Sequence, residues 1–290
     1  MKSFPIPVVA LAQPGLHQED EALNYLSMPS DMDTYRPPAL PNPLELMNKP
    51  GAMQALNRVA ELLQGHDTNA GADRVSILGL RPEEIELINQ ILGEGEASAL
   101  SRSEDGEIQV RVQESIFAGV WRVLTLRNGQ LADDWIEVGA VPTFFHEVAR
   151  QDAQASRPVW QGELPPGVQS APLLVDEIQD HSRCWRKGQP PHVVNLSLLP
   201  VSPEDIAFLD HRLGTGRLLM LSRGYGNCRI TNTRLPNCWR VVYYNSSDTV
   251  ILNTVEVVDM PEVAMAARED LHDSWLRLRD VLDYLQGKTA

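Results

Sequence analysis

The side chains best suited to metal or nucleophilic chemistry in this chain are three cysteines, Cys184, Cys228 and Cys238, and seven histidines. Thiolate metal centres want four ligands, commonly with one tightly spaced pair. Nine residues separate Cys228 from Cys238, and Cys184 stands far upstream. His181 and Cys184, three apart, would share one side of a helix. His192, His211 and the other histidines offer no second pair at ligand spacing. The spacing therefore predicts no metal site and no cofactor. No nucleophile elbow, papain- or caspase-like cysteine context or HExxH run is present, so no catalytic residue is assigned and the chain reads as a non-enzyme.

Other motifs bear on binding. Gly93-Glu94-Gly95 and Gly214-Thr215-Gly216 resemble phosphate loops only in composition. A phosphate loop runs from strand into helix, so that amide N–H groups face the anion. Here a helix precedes each pair and a strand follows, which makes the glycines helix stops. Trp121-Arg122-Val123 and Trp239-Arg240-Val241 fall in matching strands. Trp121 and Trp239 are candidate partner anchors, since Trp and Arg dominate interface hot spots. A buried ring beside an outward Arg is the simpler reading of alternating strand faces. Gly224-Tyr225-Gly226-Asn227 interrupts the match between the two halves, and a Tyr between glycines suits a bulge that presents its ring. Tyr225, Gly224 and Gly226 are therefore the first-choice contact element.

The elements that position these residues come twice. Residues 76–102 align without gaps to residues 197–223, with 11 of 27 positions identical. The echo continues through the two Trp-Arg-Val runs to Pro142 and Pro261. Each copy predicts a short strand, a helix opening on Pro82 or Pro203, a Gly stop, and a run of period-two strands. Asn128-Gly129 marks a type I′ hairpin turn, which needs positive φ at both central positions. Met53, Leu56, Val59, Leu62 and Leu63 predict a helix over 52–64. Leu173 to Trp185 predicts another, and Leu271, Trp275, Leu278, Leu282 and Leu285 a closing one. The expected class is α+β, a tandem duplication of a strand–helix–antiparallel-meander unit. The expected segments are a Pro-rich arm over 1–50, a first repeat with its preceding helix over 51–155, a connector over 156–191, and a second repeat with the C-terminal helix over 192–290.

Composition narrows the partners. A formal charge of −14, from 25 basic and 39 acidic residues, argues against nucleic acid, where clustered cations must displace counterions. No apolar run reaches the length of a membrane span, so no stable membrane insertion is expected. The opening apolar run is broken by Pro5 and Pro7, and no secretory signal is predicted. With three irregular cysteines, a cytoplasmic protein is expected.

Several runs together resemble one family. They are Ile91-Leu92-Gly93-Glu94-Gly95-Glu96, Gln113-Glu114-Ser115-Ile116-Phe117-Ala118-Gly119-Val120-Trp121-Arg122, Asn195-Leu196-Ser197-Leu198-Leu199-Pro200-Val201-Ser202, Ser222-Arg223-Gly224-Tyr225-Gly226, and Met260-Pro261-Glu262-Val263 with Arg268 to Ser274. Over roughly residues 45–286, their order resembles the HupH/HyaF/HoxQ family of hydrogenase expression/formation proteins. These are encoded with membrane-bound, uptake-type nickel–iron hydrogenases. The resemblance implies an accessory, non-catalytic role. It implies as partners the iron–sulfur small-subunit precursor, exported with a twin-arginine signal, and a thioredoxin-like companion. It transfers no site residues. An acidic chain suits a signal carrying paired arginines, and Glu94, Glu96, Glu114, Glu137 and Glu256 are the candidate contacts. Two other readings stand beside it: an iron–sulfur cluster or metal handling factor acting through its cysteines, and a peptidase acting on the precursor.

Overall fold

The computed structural model describes residues 48–65, 73–103, 105–223 and 226–288. The Pro-rich arm lies outside these residues, apart from its last three positions. The chain is α+β, and its contacts group it into two units.

The N-terminal unit comprises described residues 48–148, 217–222 and 262–288. Helix α1 (Pro50–Gly65) leads into strand β1 (Asp73–Ser76) and helix α2 (Pro82–Leu92). The strands β2 (Ala97–Arg102), β3 (Ile108–Glu114), β4 (Val120–Arg127) and β5 (Gln130–Val138) then form an antiparallel meander, and β1 pairs with β5. The β4–β5 turn has positive φ at both Asn128 and Gly129, as the hairpin signal predicts. The closing helix Arg268–Leu285 completes the core, in which Leu56, Val59, Leu87, Ile88, Ile91, Phe117, Val120, Ile136 and Leu278 are all buried. Of residues 217–222, which come from the second repeat, 218–222 pair antiparallel with β2, from Ala97↔Ser222 to Ser101↔Leu218. Spatial grouping therefore does not follow the linear order of the repeats.

Helix α3 (Thr143–Gln154) ends the first repeat. The C-terminal unit takes residues 149–216 and 223–261, of which 224 and 225 are not described. It contains α4 (Ala171–Cys184), β6 (His192–Asn195) and α5 (Pro203–Leu213). It also holds the start of β7 (Thr215–Ser222), then β8 (Asn227–Thr233), β9 (Cys238–Tyr244) and β10 (Val250–Val257). Strands β8, β9, β10 and β6 are hydrogen-bonded in that order, and β6 pairs with β10 as β1 pairs with β5. With the closing helix numbered α6, the run helix, strand, helix, four strands occurs twice along the chain.

Both runs fasten their leading helix with one side chain. Glu84, at the third position of α2, accepts hydrogen bonds from the N–H of Gly51 (2.8 Å) at the start of α1 and of Arg81 (3.2 Å). Asp205, at the same position of α5, accepts from the N–H groups of Gln169 (2.8 Å), Ser170 (2.9 Å) and Ala171 (2.9 Å) at the start of α4. It also accepts from Ser202 N–H (3.1 Å), closing a capping box. A helix start leaves amide donors without intrahelical partners, and a carboxylate satisfies them with favourable charge. Helix α4, placed in the connector by sequence, is thus held as α1 is held.

Candidate functional site

Three of the five acidic residues singled out in the sequence, Glu94, Glu96 and Glu114, lie about the turn at the end of α2. Gly93 has φ +57 and its N–H returns to Asn89 O at 2.8 Å, so it stops the helix. Gly95 does something else: its N–H bonds Glu114 O at 2.7 Å, and a Cβ there would lie 2.2 Å from the Ser115 carbonyl oxygen. The turn Gly93–Glu96 is thereby pressed against the end of β3, leaving Glu94 and Glu96 exposed. Gly214 and Gly216 divide the same two tasks, with φ +71 at the first and the Asn232 side chain crowding the second.

Glu114 lies half-buried beneath this turn. Burial pushes its carboxyl up to about 7, and the nearby charges of Glu96 and Asp270 push the same way. The Gly119 N–H, 3.2 Å from Oε1, and the Ala97 backbone oppose the shift. Asp270 is the member that spacing does not reveal. It opens α6, and Leu271 beside it fills the space over Gly119, where a Cβ would fall 1.9 Å from Leu271 Cδ2. Gly119 at φ +78 thus both donates to Glu114 and admits the helix that carries Asp270. A carboxyl near neutrality among acidic neighbours is suited to a cation, whose arrival would ionise it and release a proton.

The other candidates fare differently. Trp121 and Trp239 are each 1% exposed, with their indole N–H groups bonded to Gly139 O (2.9 Å) and Val258 O (3.0 Å). Neither ring reaches the surface, because the alternation of β4 and β9 turns both toward the core; as partner anchors they are corrected. Glu137 is likewise spent within the fold. It accepts from Trp135 Nε1 (3.0 Å), Thr143 N (2.6 Å) and Thr143 Oγ1 (2.7 Å), and faces Arg74 Nε at 3.3 Å. Glu256 accepts from Thr254 Oγ1 at 3.0 Å. Gly224 and Tyr225 lie outside the described residues; Gly226 is exposed, with φ +99 and open space around it.

The cysteines do not converge. Cys228 pairs with Tyr243 across β8 and β9, whereas Cys238 lies five residues earlier, at the start of β9, roughly 16 Å away at strand rise. Both are buried, and burial pushes both thiols up to about 12, the opposite of the thiolate that metal binding needs. Cys184 is exposed at the end of α4. A different group does assemble: donor atoms of Glu177, His181 and His192 lie within 4.8 Å of one another. The Glu177–His181 spacing on α4 was visible in sequence as i, i+4, but His192 comes from β6 and needed the fold.

The family model of the HupH hydrogenase expression protein, C-terminal conserved region, matches residues 46–161 and 168–285. The chain belongs to the HupH family. Each HupH segment spans one helix–strand–helix–meander run, and the second opens just ahead of α4. The hydrogenase expression/formation protein HoxQ of Cupriavidus necator is 49% identical over 286 residues, covering 98% of this chain and 99% of that protein. HupH of Rhodobacter capsulatus is 41% identical over 293 residues, covering 99% and 100%. The hydrogenase-1 operon protein HyaF of Escherichia coli is 30% identical over 280 residues, covering 95% of each. A solved HupH structure from Thiobacillus denitrificans shares 26% identity, covers 38% of this chain and 96% of that one, and has a TM-score of 0.35.

Proposed function

We propose that this protein is an accessory factor in hydrogenase formation that chaperones the iron–sulfur small-subunit precursor before twin-arginine export, acting in the cytoplasm with a thioredoxin-like companion. In this reading the chain is a tandem duplication whose N-terminal unit carries the recognition element. Glu94, Glu96, Glu114 and Asp270 meet the paired arginines of the signal. The observation that carries the proposal is the acidic turn itself: two exposed carboxylates above a half-buried one whose affinity for a proton is raised to near neutrality. Guanidinium groups neutralise such a cluster and form two-pronged hydrogen bonds with carboxylates. Family membership supplies the hydrogenase context, and no helix among the described residues is long and apolar enough to cross a membrane. The separation of Cys228 from Cys238 and their raised thiols speak against cluster handling through the cysteines.

The test is a pull-down from cell extract with the tagged protein, comparing the small-subunit precursor with a form lacking its signal. Recovery of the precursor alone is expected. Recovery of both forms would move the contact to the cluster-bearing domain, and recovery of neither would remove the small subunit as partner.

A further inference from the structure

The group formed by Glu177, His181 and His192 belongs to neither the acidic turn nor the reading above. Glu177 and His181 stand one turn apart on α4, where residues i and i+4 lie one above the other. The inner face of that helix, through Ala171, Val175 and Ile178, is buried in the same core as Val194 of β6. His192 shares a strand face with Val194, since alternate residues point the same way. The packed residues thus hold the helix edge and the strand end in register, and the three polar groups meet at the rim of the core. His192 Nε2 lies 2.8 Å from Glu177 Oε1, and the rings of His181 and His192 stack with centroids 3.4 Å apart at 4°.

We propose that Glu177, His181 and His192 form a binding site for a divalent transition-metal ion of the zinc, nickel and iron class, held by two imidazole nitrogens and one carboxylate oxygen. Two imidazoles with a carboxylate are a donor set these ions favour over magnesium or calcium, which prefer oxygen alone. At metal–nitrogen distances of about 2.0–2.1 Å, tetrahedral donors stand roughly 3.4 Å apart. The donors are within 4.8 Å before any ion arrives, so modest side-chain movement closes the site. That movement is a tilt of one ring, because stacked rings direct their lone pairs side by side rather than at one point. Glu177 and His181 are exposed, and His192 is partly so, which leaves room for the tilt. His181 lies in the last turn of α4, where the helix dipole favours positive charge. Three protein ligands leave at least one position open, so the site fits exchangeable metal rather than a structural ion with four protein ligands.

Isothermal titration of the chelator-treated full chain with Zn²⁺ tests this directly. One ion per chain is expected, and H181A and H192A should each weaken binding at least about tenfold, or about 1.4 kcal/mol. E177Q should weaken it measurably, and H272A, on α6, should leave it unchanged. Loading wild-type protein with Co²⁺ provides a readout that requires no variant to fold: d–d bands should appear without a thiolate-to-metal charge-transfer band. Absence of saturable binding would overturn the proposal. So would binding indifferent to both histidine substitutions, or a thiolate band abolished by C184S.

Discussion

Arg122 grips Asp134 with two hydrogen bonds, Nη2 to Oδ2 at 2.7 Å and Nε to Oδ1 at 3.1 Å, from neighbouring positions on β4 and β5. Asn89 of α2 accepts a further bond from the same guanidinium. In the second run the corresponding arginine, Arg240, has its carboxylate on the helix instead, with Asp210 Oδ1 3.3 Å from Nε. The strand position matching Asp134 is Asn253, as the pairings Arg122↔Ile136 and Arg240↔Val255 show. The charge is thus balanced in both runs, with amide and carboxylate exchanged between helix and strand.

That exchange predicts a compensation. Asp134 is 2% exposed, and removing one member of a largely buried pair leaves the other uncompensated. D134N should destabilise the protein by on the order of 2 kcal/mol. N89D/D134N, which transplants the second run's arrangement into the first, should recover most of that loss. Urea denaturation of the wild type, single and double variants measures both effects.

The carboxylates that fasten α1 and α4 should govern acid stability. Hydrogen bonds from Arg81 lead the causes that hold Glu84 at about 2, below the ordinary 4.5, against the opposing effect of burial. For Asp205 burial is again opposed, and the backbone N–H groups of Ala171, Gln169, Ser202 and Ser170 outweigh it, so its carboxyl is also lowered. A depressed carboxyl contributes stability that is present above its unfolded value and lost as pH falls toward its folded value. For Glu84 the window runs from about pH 4.5 to about pH 2. Thermal melts of E84Q and D205N should be lower than wild type at pH 7, and the gap should narrow as the pH falls through that window.

Glu114 should behave in the opposite sense. Its folded value of about 7 lies above the ordinary 4.5, so the folded state keeps a proton that the unfolded state has surrendered. The associated stability is present below pH 4.5 and lost as pH rises through about 7. Gln cannot ionise and mimics the protonated form. E114Q should match wild type near pH 4.5 and exceed it at pH 8 by on the order of 1–3 kcal/mol. Melting curves at the two pH values check the sign.

Much of the architecture was legible in the sequence because it rests on local signals. Pro82 and Pro203 open helices, Gly93 and Gly214 close them, and Asn128-Gly129 turns the hairpin. The repeated motif marked elements that the fold also repeats. What was not legible depends on residues distant in sequence. Asp270 joins Glu114 only because Gly119 leaves room for Leu271, and His192 reaches His181 only because β6 packs beside α4. The burial of Trp121 and Trp239 was one of two readings that alternation allowed; which face met the core required the sheet. The pairing of residues 218–222 with β2 is likewise a long-range contact that no local pattern announces.

The most direct test of the central claim is the affinity of the purified protein for the small-subunit precursor, with and without E94Q/E96Q, measured across ionic strength. Both glutamates are exposed, so the variant should fold as wild type does. If the acidic turn receives the paired arginines, wild-type binding should weaken as salt rises, because exposed charges are screened within about 8–10 Å. The variant should bind less tightly at low salt and show a flatter salt dependence. Wild-type binding that is indifferent to salt, with an affinity unchanged by E94Q/E96Q, would contradict the account.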